Sequence, residues 1–148
     1  MLIICCVDYR YIDAILRFVK ERLGVVAYDL KTDAGGAKAL VDGVPAVRAW
    51  ILSNLKLVYS RRGVRTVILV HHEDCAAYGG SAAFRDGAEE TACHAQQLAM
   101  ASSLLRAFFQ RLTVRMFYAH RASRRIVFAE IVGSYPRRRA ARRVCTRG

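Results

Sequence analysis

The sequence predicts an α/β protein: a three-layer α/β/α arrangement on a mostly parallel sheet of four strands plus an edge strand. Three observations predict it. Short, continuous apolar runs rich in β-branched residues, LIICCV at 2–7 and VRTVILV at 64–70, have the character of strands buried on both faces. Between such runs lie stretches with apolar residues at helical spacing, and this alternation implies parallel strands joined by crossover helices. The last two strand candidates, 113–120 and 124–132, are separated only by a short turn, which allows an antiparallel hairpin at one edge.

Each element has its own warrant. After the first strand, YIDAILRFVKERLG places Ile12, Ile15, Leu16, Val19 and Leu23 along one helical face, with Gly24 as a stop. VVAYDL, 25–30, is the second strand candidate, and TDAGGAK, 32–38, is a break. PAVRAWILSNLKLVYSRRG then lines Val47, Trp50, Ile51, Leu55 and Val58 on one face and ends at Gly63. The third strand is 64–70, and residues 71–88 are read as loop. A long helix fits 89–112, including Cys93 and His94 as ordinary helix residues.

Composition bounds the function. With 148 residues and a hydrophobic fraction of 54%, the chain is expected to fold as a single domain, 1–136, followed by a basic tail, 137–148. No apolar stretch approaches the ~20 residues of a membrane-spanning helix, so no membrane association is expected. The opening MLIICCVDYR has the pattern of a buried strand rather than a secretion leader, which makes the cytoplasm the expected location. The five cysteines have no framework spacing and are expected to be reduced, Cys145 in the tail being a poor ligand candidate. The net charge is +12, and 20 of the 24 basic residues are arginine, six of them in the tail. That charge allows a polyanion or nucleic-acid partner. No aromatic-interleaved or helix-turn-helix pattern accompanies it, so a solvated tail is the favoured reading.

The chemistry concentrates at two strand ends. In open α/β sheets ligands bind beyond the carboxyl ends of the strands. The first strand ends in CVDYR, 6–10, and the third in HHEDC, 71–75. Were those strands adjacent, Cys6 would meet His72 and Cys75. Two thiolates and an imidazole hold zinc through three protein ligands and leave a fourth position open, the pattern of catalytic sites. Such a set has little net charge, so water bound there should ionise on the alkaline side. His71 is an alternative to His72 as ligand, and Cys6, like Cys5, has a second reading as a small buried hydrophobe.

These motifs resemble the β-class carbonic anhydrases. That family carries C-x-D-x-R after its first strand, matched by Cys6, Asp8 and Arg10, and H-x-x-C after its third, matched by His72 and Cys75. Its Ala-Gly turn is matched by Asp33-Ala34-Gly35-Gly36, and its following helix and strand by Ser53 through Val70. The motif match covers roughly residues 2 to 80, with Ala76 and His71 standing where the family has glycine and Asp33 where it commonly has asparagine. The resemblance implies one Zn²⁺ per chain on Cys6, His72 and Cys75, favouring His72 over His71 and the ligand role over the buried-hydrophobe reading for Cys6. It also implies reversible hydration of CO₂ to bicarbonate by a zinc-bound hydroxide, and a homodimer or higher oligomer. Asp8 would accept the hydroxide's proton in a hydrogen bond while Arg10 holds it bidentately; in the alternative state the aspartate becomes a fourth zinc ligand. Asp74 has two readings, an acceptor behind the ligand residues or a loop-capping group, the latter favoured. Asp33 with its glycines is read as a turn allowing close backbone approach.

The rivals are a zinc hydrolase of another small linear electrophile, COS or CS₂, and a non-catalytic zinc protein using its arginine-rich tail on polyanions. A cysteine nucleophile of rhodanese or phosphatase type is disfavoured, because VDYRY lacks the glycines of a phosphate-cradling loop.

Overall fold

The computed structural model describes residues 1–133. The basic tail, 137–148, and Cys145 therefore lie outside the described residues. Five strands form one sheet in the order β2-β1-β3-β4-β5. They are β1 (Leu2–Cys6), β2 (Asp29–Asp33), β3 (Thr66–His72), β4 (Thr113–Ala122) and β5 (Arg125–Glu130). The first four are mutually parallel, and β5 closes an antiparallel hairpin against β4. The predicted class and the edge hairpin are both present.

Helix α1 (Tyr9–Glu21) covers one face, and α2 (Lys38–Val41), α3 (Pro45–Arg61) and α4 (Gly87–Phe108) cover the other. Strand alternation divides the core accordingly. Ile3, Cys5, Ile68 and Val70 pack on Tyr11, Ile15 and Val19 of α1. Leu2, Ile4, Val67 and Leu69 pack on Ile51, Leu55, Leu98 and Leu105. Each large aliphatic side chain buried this way contributes roughly 1.5–3 kcal/mol relative to exposure.

The helices begin where their sequences say they should. Asp8 caps α1, its carboxylate accepting from the Arg10 N–H; Pro45 sits in the first turn of α3; Asp86 caps α4 by accepting from the Glu89 N–H.

Four expectations are corrected. The second strand runs Asp29–Asp33 rather than 25–30, because β2 is an edge strand whose place is set by pairing with Leu2–Cys6 and not by its own apolar run. Val26, inside the expected strand, is exposed. The third strand extends through His71 and His72, which pair with Tyr118 and Ala119 of β4; the expected loop instead contains two short 3₁₀ turns, Ala76–Tyr78 and Ser81–Ala83. On α3 only Ile51 and Leu55 of the expected face are buried, whereas Val47 and Trp50 are exposed, Trp50 lying under the Lys31 ammonium. The short helix α2 had no sequence signal, since its four residues are fewer than a periodic pattern needs.

Candidate metal centre

The site is built where β1 and β3, neighbours in the sheet, end together. Cys6 is the last residue of β1, His72 the last of β3, and Cys75 follows on the turn. All three are buried, and their ligand atoms lie within 4.8 Å of one another. This is the only cluster of its kind among the described residues. The two sulfurs are 3.9 Å apart. The contact between them favours one thiolate and one thiol, drawing the Cys6 pKa down to about 4 and pushing that of Cys75 up. The Gly35 N–H, 3.4 Å from the Cys6 sulfur, adds to the same stabilisation of the Cys6 thiolate.

The imidazole of His72 is oriented from two sides. Its Nδ1 lies 2.7 Å from the Glu73 carbonyl, so Nδ1 carries the proton and Nε2 the free lone pair. The ring stacks on Tyr11, centroids 4.2 Å apart. Nε2 is buried without a hydrogen-bond partner. A buried ring nitrogen presenting a lone pair beside two sulfurs is costly as an orphan and well suited as a metal ligand.

The turn Asp33–Gly36 explains its glycines. Gly36 has φ +60°, and a Cβ there would meet the backbone of Val70, Cys5 and Cys6 at 3.2–3.3 Å. Gly35 has φ +75°, and its Cβ would press on Ala77, Lys38 and Tyr78, so only glycine brings this N–H to the sulfur. The turn thus does more than allow close approach: it supplies a donor.

Beside the sulfurs stands a carboxylate–guanidinium pair. Arg10 donates to Asp8 through Nε at 3.0 and 3.1 Å and through Nη2 at 2.6 Å. These bonds hold the Asp8 pKa at about 2, well below the usual carboxylate value. Asp8 Oδ2 is 3.9 Å from His72 Nε2. Arg10 is in turn gripped by Asp74, whose Oδ2 accepts from Nη1 at 2.7 Å and whose carbonyl accepts from Nη2 at 2.9 Å. Asp74 Oδ1 also caps the following turn by accepting from the Ser81 N–H. It thus combines the two roles read from the sequence, acceptor behind the site and loop cap.

His71 points to the opposite face from His72. Its Nε2 accepts from the Ala37 N–H at 3.2 Å, which places its proton on Nδ1, 3.2 Å from His94 Nδ1. His94 is not an ordinary helix residue: it is fully buried, packed between Tyr78 and Tyr118, with Nε2 3.9 Å from Glu90. Burial holds His71 well below the usual histidine pKa and His94 at about 3. Cys93 is also buried, packed with Cys6, Cys75 and Tyr78. Glu90, the Gly35 N–H and Tyr11 escaped the sequence reading, because their roles depend on which elements pack together.

The fold and this cluster together define a carbonic-anhydrase-type α/β protein. Residues 1–127 match the family described as "Putative carbonic anhydrase", and the chain belongs to that family. Solved structures agree on the fold. The β-carbonic anhydrase isoform I of Trichomonas vaginalis aligns with TM-score 0.55 at 15% identity, over 90% of this chain and 82% of its own. The carbonic anhydrase of Streptococcus mutans aligns with TM-score 0.51 at 17% identity, over 88% and 80%. A search of curated proteins found no match. Among the described residues no helix is long and apolar enough to cross a membrane.

Proposed function

We propose that the chain catalyses the reversible hydration of CO₂ to bicarbonate, with one zinc ion held by Cys6, His72 and Cys75. The observation that carries this reading is a three-donor cluster with the Asp8–Arg10 pair beside it. Two thiolates on one zinc ion at ordinary bond lengths lie about 3.8 Å apart, close to the 3.9 Å between these sulfurs. The orphaned Nε2 of His72 supplies the third donor. When bound, zinc supplies Lewis acidity and a nucleophile derived from water near neutral pH.

The chain's own residues do the rest. Asp8, held ionised by Arg10, offers Oδ2 as the acceptor for the nucleophile's proton and so aims its lone pair. Arg10, clamped from behind by Asp74, keeps that carboxylate fixed, which a lysine's single point of contact would not. The buried apolar surroundings, Tyr78 with the partly buried Ala77 and Phe84, suit a small uncharged substrate such as CO₂. A homodimer or higher oligomer belongs to the same proposal and is tested by light scattering.

The deciding experiment is stopped-flow CO₂ hydration by zinc-loaded protein across pH 7 to 9. Hydration that climbs with pH and collapses in Asp8→Asn is the expected result. A full zinc complement with no hydration overturns the proposal, and turnover of COS or CS₂ in the same protein would replace the substrate while keeping the site.

A further inference from the structure

We propose that Glu90 is a positioning residue: through Asp74 and Arg10 it keeps Asp8 turned toward the guanidinium and out of the metal's ligand set. This inference rests on the zinc reading above. Glu90 lies on α4, outside both sequence motifs, and is only 3% exposed. Its carboxylate has no Lys or Arg partner among the described residues. Its nearest basic group is His94 Nε2, 3.9 Å away and held neutral by burial. A buried carboxylate is retained at such a place only when strong donors satisfy it.

Those donors belong to the site. Glu90 Oε1 accepts from the Asp74 N–H at 2.6 Å, and Oε2 accepts from the Ser81 hydroxyl at 2.8 Å. Asp74 has φ +53°, a left-handed conformation that a non-glycine residue keeps only when its surroundings impose it. Glu90 holds its N–H and the Ser81 N–H holds its Oδ1. Gly80 leaves room for that oxygen, since a Cβ there would lie 3.0 Å from it. In this conformation the Asp74 carbonyl and Oδ2 both face Arg10.

Arg10 is therefore gripped on one side by Asp74 and grips Asp8 on the other. With Asp8 Oδ2 only 3.9 Å from His72 Nε2, the carboxylate lies within a short displacement of the ligand atoms. Arg10 and the metal compete for it. The clamp anchored at Glu90 biases that competition toward Arg10, leaving the fourth position free for water.

The test uses cobalt-substituted protein, whose visible absorption reports the ligand set directly. Glu90→Leu removes the acceptor at similar volume, and Glu90→Gln retains an oxygen for the Asp74 N–H. In Glu90→Leu the cobalt stoichiometry and thiolate charge-transfer absorption should remain while the d–d bands shift. CO₂-hydration kcat should fall at least about 10-fold with KM within about twofold, and Glu90→Gln should restore most of both. Bands and kcat unchanged in Glu90→Leu would reduce Glu90 to a space-filler. Should that variant not fold, Ser81→Ala removes the other hydrogen bond on the carboxylate; a smaller shift in the same direction supports the clamp, and no shift overturns it. Wild-type protein that binds neither cobalt nor zinc overturns the zinc reading and this inference with it. Wild-type protein that binds metal but hydrates no CO₂ overturns the proposed activity alone, since the cobalt spectra still decide Glu90.

Discussion

Cys5 and Cys6 are neighbours on β1 and His71 and His72 are neighbours on β3, yet one member of each pair faces the core and the other the candidate site. Cys5 sits among Ile3, Ile15 and Val70, where burial pushes its pKa up to about 12. Cys6, one residue on, receives the Gly35 N–H and the Cys75 thiol and is drawn down to about 4. His71 spends its lone pair on the Ala37 N–H and its proton on His94, while His72 keeps an unpartnered Nε2 beside the sulfurs. Strand alternation turns successive side chains to opposite faces, and in each pair it is the last residue of its strand that meets Cys75. Identical side chains thus become filler or ligand through position alone.

The sharpest way to break the comparison is to exchange the fates of each pair. His72→Ala or Cys75→Ser should reduce bound zinc from one per chain to near zero, measured by elemental analysis after dialysis. Cys5→Ala and His71→Gln should leave that stoichiometry unchanged. Loss of zinc in Cys5→Ala alone would reverse the assignment of the two cysteines.

Next in size is Asp8→Asn. The amide retains the helix cap that the carboxylate makes with the Arg10 N–H, so the fold should hold. It removes the proton acceptor, and kcat should fall about 10²–10⁴-fold with zinc content intact. Arg10→Lys, losing the forked grip, should show the same signature at about 10-fold.

The core side of the comparison predicts a pH effect in metal-free protein. His94 has a folded pKa of about 3 and His71 one well below normal, so below about pH 6.5 the unfolded chain binds protons that the folded chain does not. Stability contributed by these neutral rings is complete above that pH and is lost as pH falls. The slope approaches about 1.4 kcal/mol per pH unit for each histidine. Asp8 and Asp74 titrate lower, but the Cys6 thiolate, drawn down to about 4, adds a slope of the same sign in this range. The histidine part is therefore read as the difference between wild type and His94→Gln in denaturant melts between pH 6.5 and 4.5. In His94→Gln the slope should flatten; an unchanged slope would remove His94 as its source. The smallest effect is on Cys5→Ala, which loses one buried sulfur and about 1 kcal/mol by denaturant unfolding.

Much of the fold was legible because β1 and β3 are covered on both faces, and such strands must be apolar throughout. β2 was misplaced because an edge strand answers to its partner's register, and α3's exposed Trp50 because periodicity reports an apolar face without saying how much of it finds a neighbour. Of the site, CVDYR and HHEDC marked themselves through chemistry-bearing residues at strand ends. Glu90 and His94 carried no such mark, since a charged or polar residue on a helix is ordinarily solvated.

The sequence by itself determined the α/β class, the strand-end motifs and the family, all of which depend on local pattern. Only the tertiary structure decided that β1 and β3 lie side by side and which histidine keeps a free lone pair. It alone brought the first turn of α4 against the Asp74 turn. Those facts depend on contacts between residues far apart in the chain, and the free energy of such contacts belongs to the packed pair and is carried by neither segment alone.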